Sequence, residues 1–385
     1  MAAHTMADLY QMQSLPLDIK VRMTMQRIKG WVDEFGEDGV YISFSGGKDS
    51  TVLMDIIRNQ MGLKNIPAVF VDVPTQYPEL KVFAKTWDDV EIIRPKISFM
   101  EVCEKYGFPL ISKEVSKAVY SAKIYMDVVS KTTEATKKFS GYWAFADMVG
   151  IPKRQADKNS EQYINLKKGI VPKEILERIA VKELSNTNKE KTSRYDKSKY
   201  AFLLFAKFDI SERCCAIMKK QPAHTYHNKT GRKPITAQMA AESKLRTQSW
   251  IKNGCNGFNM TIPTSNPMSF WTEQDVLKYI KENNLPICSV YGEVVEDYET
   301  EGILENQITF DDFKCDRLYK TTGCDRTGCM LCGFGCHMSD DKRFLLLKET
   351  HPKMYGLLDV AKNNGVTFRE AIEWTNEHGN LNIRL

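Results

Sequence analysis

Two glycines, a lysine, an aspartate and several hydroxyl side chains lie together in a stretch that could hold an anion. It reads YISFSGGKDSTVLM over residues 41–54, and its apolar flanks predict a strand, a turn at the glycines and a helix. Glycine lets the backbone approach an oxyanion, and the first N–H groups of a helix point toward it with the helix dipole behind them. The stretch therefore predicts a pyrophosphate or sulfate site, formed by Ser45, Gly46, Gly47, Lys48, Asp49, Ser50 and Thr51.

Other interpretations of this stretch are weaker. The common nucleotide loops have the forms G-x-x-x-x-G-K-[ST] and G-x-G-x-x-G, and neither spacing occurs here. A glycine turn without a ligand would leave Lys48 and Asp49 unexplained. We assign catalytic roles to both: Lys48 would stabilise charge on a leaving group, and Asp49 would either bind a metal ion or only begin the helix.

Cysteines form the second set of residues with chemical potential. The chain has ten, and nothing in it indicates secretion, so metal or redox chemistry is favoured over disulfides. Cys214 and Cys215 are adjacent, and five others fall within 22 residues: Cys315, Cys324, Cys329, Cys332 and Cys336. The C-x-x-C spacing of Cys329 and Cys332 lets two thiolates reach one metal centre. The remaining three are predicted to be small core residues: Cys103, Cys255 and Cys288.

Alternating strands and helices must position these residues. Hydrophobic periodicity predicts strands at Val40–Ser45, Ile66–Val73 and Val90–Pro95, and helices at Pro16–Gly36, Asp49–Met61, Tyr77–Trp87 and Ser269–Asn284, the last capped by Thr272. This order predicts an α/β fold, with a doubly wound, mostly parallel sheet covered by helices on both faces. Asp72 follows the second strand, at the end of the sheet where such folds bind ligands.

Composition limits the class of protein. Apolar residues make up 42% of the chain, which is enough for a large core and unlike disordered or collagenous chains. No run approaches the roughly 18 apolar residues of a membrane span, and the first residues lack the pattern of a secretory signal, so we expect a cytoplasmic protein without membrane contact. Residues 150–200 carry thirteen basic and seven acidic residues. This segment would attract nucleic acid, or it would be the solvated face of helices.

The glycine stretch resembles the S-G-G-x-D-S loop of the PP-loop ATP pyrophosphatases, which split ATP into AMP and pyrophosphate. FVDVPTQYPEL (70–80) and NPMSFWTEQDVLKYIKENNLPI (266–287) look like segments of the 3′-phosphoadenylylsulfate (PAPS) reductase family. TGRKPITAQMAAESKLR (230–246) resembles its substrate loop, which implies nucleotide-binding roles for Glu242, Ser243 and Arg246. We expect Asp72 to face the adenosine side of the same nucleotide.

The cysteine pattern is similar to the [4Fe–4S] ligand set of assimilatory adenylylsulfate reductases. That resemblance implies a cluster bound by Cys214, Cys215, Cys329 and Cys332, with Cys324 and Cys336 as reserve ligands. A structural zinc site with four cysteines is the alternative. Lys219, Lys220 and Arg326 would offset the charge of a cluster, and the lower-ranked ligands are His224, His227 and His337.

The resemblance also implies a division of the chain into four parts. We expect the first part of the PP-loop core at 1–112, a helical, basic insertion at 113–200, completion of the core with the substrate loop at 201–300, and a cysteine-rich region with C-terminal helices at 301–385.

The intact loop favours ATP, with magnesium, as the nucleotide. The reductases usually carry an altered loop, and they attack sulfate sulfur with a cysteine on an E-C-G-x-H tail, whereas no cysteine follows Cys336 here. The sequence therefore predicts an adenylating ATP pyrophosphatase in iron–sulfur-dependent sulfur transfer, with a sulfur donor or thiol reductant protein as partner and nucleic acid as a candidate acceptor. The alternatives are a PAPS or adenylylsulfate reductase that uses Cys336 or Cys324, and a nucleic-acid-binding module that senses a nucleotide without turnover.

Overall fold

The structure, a computed structural model, describes residues 4–131, 144–145, 148, 197–297, 318–338 and 341–385. Its strands are β1 Val40–Phe44, β2 Ala68–Val71, β3 Val90–Ile93, β4 Leu110–Ile111, β5 Lys233–Ile235, β6 Asn256–Gly257, β7 Thr264–Ser265, β8 Val294–Glu296, β9 Tyr319–Thr321, β10 Gly333–Phe334, β11 Lys362–Asn363 and β12 Val366–Thr367.

Its α-helices are α1 Met6–Gln13, α2 Leu17–Phe35, α3 Lys48–Asp55, α4 Pro78–Ala84, α5 Phe99–Tyr106, α6 Lys113–Lys131, α7 Arg213–Cys215, α8 Gln221–Thr230, α9 Lys244–Asn253, α10 Glu273–Glu282, α11 Arg343–Thr350, α12 Pro352–Tyr355 and α13 Phe368–Gly379. Short 3₁₀ helices occur at Glu37–Gly39, Ser198–Phe205, Ala240–Glu242, Ser289–Tyr291 and Gly356–Leu358, and π-helices at Ile56–Gln60 and Ala216–Lys220.

The chain forms two compact units, each built from two separate stretches. The first unit comprises Met1–Pro95 and Lys220–Gly328, and the second comprises Lys96–Lys219 and Cys329–Leu385. The four-part division expected from the sequence stays a prediction. Most of its basic insertion (132–143, 146–147 and 149–196) lies outside the described residues, as does Cys315.

A six-stranded sheet organises the first unit, in the order β3-β2-β1-β5-β7-β6. Neighbouring strands are parallel except for the pair β6 and β7. β1 forms because its apolar side chains are buried: Val40, Ile42 and Phe44 are each at most 2% exposed. β1 is the point where the strand order switches sides: β2 and β3 lie on one side of it, and β5 and the later strands lie on the other. The predicted α/β fold with a mostly parallel sheet is confirmed.

The second unit is held together by aromatic side chains. Phe108 stacks on Phe368 with ring centroids 4.7 Å apart, and Trp374 meets Phe208 edge to face at 5.5 Å. The short parallel pair β4 and β10 brings Gly333 beside Leu110. The segment that follows the C-x-x-C pair is therefore held beside β4, which packs against α6.

Most predicted elements are confirmed with shorter ends. Thr272 caps α10 in a capping box with Asp275, as expected. The helix predicted over Asp49–Met61 instead ends its α-helical part at Asp55 and continues as a π-helix. Among the described residues, no helix has both the length and the apolar character needed to cross a membrane.

Candidate functional site

The PP-loop, Ser45–Ser50, connects the end of β1 to the start of α3. Gly46 has φ +71°, a left-handed conformation that favours glycine. A Cβ atom on Gly46 would lie 3.0 Å from the carbonyl oxygen of Leu80, and one on Gly47 would lie 3.1 Å from Tyr291 Oη. Both positions therefore favour glycine, because the loop packs tightly between two neighbouring segments.

Three backbone N–H groups of this loop are available for an anion. Within the described residues, the amides of Gly46, Asp49 and Ser50 donate to no protein acceptor. The amide of Gly47 donates to Ser45 Oγ at 3.3 Å, and that of Lys48 donates to Tyr291 Oη at 3.2 Å. Free N–H groups at a helix N-terminus attract negative charge, so the geometry suits a phosphate.

The hydroxyl side chains shape the loop from within. Ser50 Oγ and Thr51 Oγ1 both donate to the carbonyl oxygen of Gly47, at 2.8 and 3.0 Å. Both side chains are buried, whereas Ser45 is exposed, with its Oγ 2.9 Å from Ser50 Oγ. Of the three predicted hydroxyl donors, Ser45 is thus the one at the surface.

The ammonium group of Lys48 is surrounded by oxygen atoms. Its Nζ lies 3.0 Å from Glu273 Oε1 and 3.5 Å from Asp49 Oδ1, and it donates to the carbonyl oxygen of Asp325 at 3.1 Å. Burial opposes the charge of this side chain, but the two carboxylates outweigh burial, so the pKa of Lys48 lies above its ordinary value. Lys48 is a buried cation at the first position of α3.

Asp49 carries a carboxylate oxygen that lacks a donor. Its Oδ1 is buried and accepts no hydrogen bond in the described part of the chain, although Lys48 Nζ lies within ion-pair distance. Burial raises the pKa of Asp49, and Lys48 works in the opposite direction. Buried polar atoms normally have partners, and an oxygen of this kind suits a hard cation such as Mg²⁺.

Four residues that the sequence does not connect with the loop complete its surroundings: Glu273, Tyr291, Asp325 and Thr327. Besides its bond to the Lys48 amide, Tyr291 Oη lies 2.8 Å from Thr327 Oγ1, and its ring centroid is 5.7 Å from Lys48 Nζ. These residues stand more than two hundred positions after Lys48, and no local pattern marks them as partners of a glycine turn.

The predicted substrate loop lies near the PP-loop. Ser243 caps α9 by accepting the Arg246 N–H at 3.3 Å, and Glu242 pairs with the Arg246 guanidinium. Burial lowers the pKa of Arg246, the charge of Asp49 raises it, and the charge of Arg326 lowers it further. Arg246 and Arg326 are thus within electrostatic reach of each other and of Asp49 in the first unit, and their positive charges could face a polyphosphate.

Asp72 follows β2 and is occupied by two cations. Lys81 Nζ lies 2.7 Å and Arg94 Nε 2.9 Å from its Oδ2. Burial would raise the pKa of Asp72, but these two partners more than compensate, so its pKa lies below the ordinary value. The predicted contact between Asp72 and an adenosine stays a prediction.

Five cysteines gather in the second unit, the four predicted ligands and Cys103. Burial raises the pKa of Cys214, and the neighbouring thiols of Cys329, Cys215, Cys103 and Cys332 raise it further, so Cys103, predicted to be a core residue, lies near the same group. Burial also raises the pKa of Cys332 to about 11. Thiols influence each other in this way only when they lie close together.

This donor set fits an iron–sulfur cluster, because four soft thiolates are its usual ligands. The positions of the side chains do not by themselves define a metal site. Among the described residues, no group of three or more His, Cys, Asp or Glu side chains is arranged to hold a metal ion. The ligand set and the choice between iron and zinc therefore stay predictions.

The reserve ligands lie in different places. Cys324 belongs to the first unit, where its Sγ donates to the carbonyl oxygen of Arg326 and lies 3.7 Å from Tyr77 Oη. Cys336 is in the second unit, where burial raises its pKa to about 12. His227 Nδ1 lies 2.8 Å from the carbonyl oxygen of Arg232, and His337 Nδ1 is buried without a hydrogen-bond partner in the described structure.

Comparison with known families identifies the fold family. The model of the phosphoadenosine phosphosulfate reductase domain matches residues 39–175 and 171–333, which is more than half of the chain. The chain belongs to this family. Its matched residues include the PP-loop and the two cysteine pairs.

One solved structure similar to this family member is PAPS reductase from Candida auris in a phosphate complex. It has 13% sequence identity and a TM-score of 0.31, and the alignment covers 82% of this chain and 98% of that chain. No curated protein matches the chain.

Proposed function

We propose that this member of the PAPS reductase family is an ATP pyrophosphatase that adenylates an acceptor in sulfur transfer. The observation that carries the proposal is the intact Ser-Gly-Gly-Lys-Asp-Ser loop, which combines three free amides with the buried cation Lys48 at the start of α3. Such a site complements a pyrophosphate group, whose negative charge grows as the bond between the α and β phosphates breaks.

The reaction divides among the residues of the loop. The amides of Gly46, Asp49 and Ser50 bind the β and γ phosphates, and Lys48 exchanges Glu273 for a phosphate oxygen. An oxygen of the acceptor attacks the α phosphorus, the bond to the bridging oxygen breaks, and pyrophosphate leaves with the bonding electrons. Asp49 would hold Mg²⁺, which supplies charge neutralisation at the phosphates.

We further propose a [4Fe–4S] cluster held by Cys214, Cys215, Cys329 and Cys332, with zinc as the alternative. Their mutual proximity and the soft thiol chemistry support it. The cluster would supply or relay sulfur, or transfer electrons, in the step that follows adenylation. Nucleic acid as the acceptor, and a sulfur donor protein as partner, belong to the same proposal.

The test is a product analysis under anaerobic conditions. The full chain is incubated with ATP and Mg²⁺, with duplex DNA or transfer RNA as acceptor, and the nucleotides are separated by chromatography. We expect AMP and pyrophosphate, and a loss of about 10²- to 10³-fold in rate for Lys48→Ala, since an electrostatic group at the developing charge is removed.

Lys29→Ala is the matched control, because Lys29 is an exposed lysine of α2 that pairs with Asp33. It should keep the wild-type rate. Formation of ADP and phosphate, or an unchanged rate in Lys48→Ala, would contradict the proposal.

A second candidate is sulfonucleotide reduction with Cys324 as nucleophile. Cys324 is partly exposed and precedes Asp325, whose carbonyl oxygen contacts Lys48, whereas Cys336 is buried with a raised pKa and is a poor source of thiolate. Sulfite release from PAPS or adenylylsulfate with thioredoxin, abolished in Cys324→Ser, would favour this candidate over ATP cleavage.

A further inference from the structure

Next to Arg246 the first unit contains a cleft of about 140 Å³, which we call the Trp250 cleft. Its walls come from the loop after β5, from α9 and from the segment around β6 and β7.

Sheet topology puts this cleft at the same edge as the PP-loop. Strands β1, β5 and β7 are neighbours and run parallel, so their carboxyl ends share one edge. The PP-loop follows β1, Gln238 follows β5, and Asn266 follows β7 directly. Open α/β sheets bind their ligands at this edge, beside the strand where the order reverses. Because Asp72 follows β2, it lies on the other side of β1, and the cleft takes the side opposite to the predicted adenosine.

The lining selects an uncharged ligand. Arg246 is the one charged residue among those that line the cleft, and it already pairs with Glu242. The amide of Gln238 offers a donor and an acceptor, the combination with which proteins read the edges of bases. Asn253 Nδ2 already donates to Ser249 Oγ at 3.4 Å, and Asn266 Oδ1 already accepts from Thr236 Oγ1. Asn253 therefore offers mainly its amide oxygen, and Asn266 its amide N–H groups.

The apolar walls suit a flat ring. Met260 offers a thioether surface, which packs well against aromatic rings. Met239 and Trp250 also line the cleft, but they are 3% and 2% exposed. The indole of Trp250 already stacks on His4, with ring centroids 4.6 Å apart, so these two side chains close the apolar wall from within. The volume is well below the roughly 300 Å³ of the smallest pockets that take drug-sized ligands, so the cleft is suited to one compact ring system.

Arg246 connects this cleft to the reaction site. It lines the cleft, and its guanidinium is within electrostatic reach of Asp49 in the PP-loop. A ring in the cleft would therefore be next to the phosphates that the loop is proposed to bind.

We propose that the Trp250 cleft binds the acceptor as a single neutral nucleobase-sized heterocycle. This inference rests on the proposed function, because it names the class of acceptor for that reaction. Binding of the heterocycle, however, can be measured whether or not ATP is cleaved.

The test measures binding of free nucleosides to the full chain. Uridine, cytidine, guanosine and thymidine are titrated by ligand-observed NMR, which detects millimolar dissociation constants, with the nucleotide site saturated by the non-cleavable α,β-methylene ATP. Ser249→Leu fills the cleft from α9. Gln248→Leu places the same leucine at the preceding position of the helix, where the side chain is exposed and outside the cleft.

We expect at least one nucleoside to bind wild type and Gln248→Leu alike, and to bind Ser249→Leu at least tenfold more weakly. Asn253→Ala, which removes one amide from the lining, should weaken binding several-fold without filling the cleft. Unchanged thermal unfolding and unchanged binding of α,β-methylene ATP show that each variant is folded.

Two results would overturn the inference: no nucleoside binds wild type, or Ser249→Leu and Gln248→Leu bind with equal affinity. The proposed function can fail separately. Nucleoside binding without ATP cleavage would support the acceptor site in the cleft and contradict the proposed pyrophosphatase activity. ATP cleavage without nucleoside binding would support the pyrophosphatase activity and contradict the acceptor site.

Discussion

At the scale of single residues, the reactive groups are already charged and oriented before a ligand arrives. Lys48 is held by Glu273 and by the carbonyl oxygen of Asp325, and Glu273 is partly exposed. A phosphate oxygen can therefore replace Glu273 without moving Lys48 far. This preorganisation is how a buried cation stabilises developing charge at low cost.

Tyr291 is the residue whose hydroxyl group fixes the loop. It is 2% exposed, and it accepts the Lys48 N–H and contacts Thr327. Tyr291→Phe leaves the buried Lys48 N–H and the partly buried Thr327 hydroxyl without this partner, so we expect the free energy of unfolding to fall by about 1–3 kcal/mol, measured by urea denaturation. Tyr10→Phe is the control, because Tyr10 is 63% exposed, and it should change stability by less than about 0.5 kcal/mol. Equal effects of the two variants would show that Tyr291 does not support the loop.

The sequence is enough to identify the reactive residues of the loop, but not the residues that contact them in the folded protein. Lys48 and Asp49 stand out because a glycine turn does not need them. Tyr291 and Asp325 were not foreseen, because their contacts with Lys48 join positions 243 and 277 residues apart, and only the folded sheet brings such segments together.

At the scale of elements, a buried ion pair fastens the start of α10 to α2. Lys20 is 2% exposed, and its Nζ lies 2.7 and 2.6 Å from the two carboxylate oxygens of Asp275. Asp275 also completes the capping box with Thr272. The capping pattern was visible in the sequence, but the pairing with Lys20 was not, because a lysine on an amphipathic helix is normally expected at the surface.

Removal of Lys20 should be costly. Lys20→Ala leaves Asp275 as a partly buried carboxylate without its cation, and we expect a loss of about 3–5 kcal/mol in the free energy of unfolding. Lys29→Ala, on the same helix, removes a lysine that is 68% exposed, and should cost less than about 0.5 kcal/mol. Both are measured by urea denaturation. A similar loss in both variants would reject a special role for the buried pair.

Asp72 should make the stability of the fold depend on pH, because its ion pairs connect the ends of β2 and β3 with α4. Its folded pKa lies below the ordinary value of 3.8, so its stabilisation is present above that pH and is lost as the pH falls through the folded pKa. We expect Asp72→Asn to lower the free energy of unfolding by about 1 kcal/mol at pH 7. The difference in the free energy of unfolding between wild type and Asp72→Asn should disappear below pH 3.8.

The comparison uses denaturation of both proteins over this pH range. Asp33→Asn is the control, since Asp33 pairs with Lys29 on an exposed helix face and should show little difference at any pH. A difference between wild type and Asp72→Asn that persists in acid would contradict the account.

At the scale of the whole molecule, each unit joins stretches that are far apart in the chain. The cysteine pairs Cys214–Cys215 and Cys329–Cys332 both fall in the second unit, as expected if they share one centre. The fold class could be predicted because strand and helix periods are local. The boundaries of the two units could not, because they depend on which distant segments pack together.

Metal analysis tests whether the two cysteine pairs bind one iron–sulfur cluster. Protein purified without oxygen should contain about four iron atoms and four sulfides per chain, and Cys214→Ser and Cys329→Ser should each lose most of both. Cys288→Ala is the control, since Cys288 is buried in the core of the first unit, and it should keep the iron. One zinc ion in place of iron would contradict the cluster, and metal retained in Cys214→Ser would contradict the ligand set.

A crystal structure of the chain with α,β-methylene ATP and Mg²⁺ would show directly whether the PP-loop binds the phosphates of a nucleotide. We expect the β and γ phosphates to lie against the amides of Gly46, Asp49 and Ser50, with Lys48 Nζ moved from Glu273 to a phosphate oxygen. A nucleotide bound elsewhere, with Lys48 still paired to Glu273, would contradict this expectation.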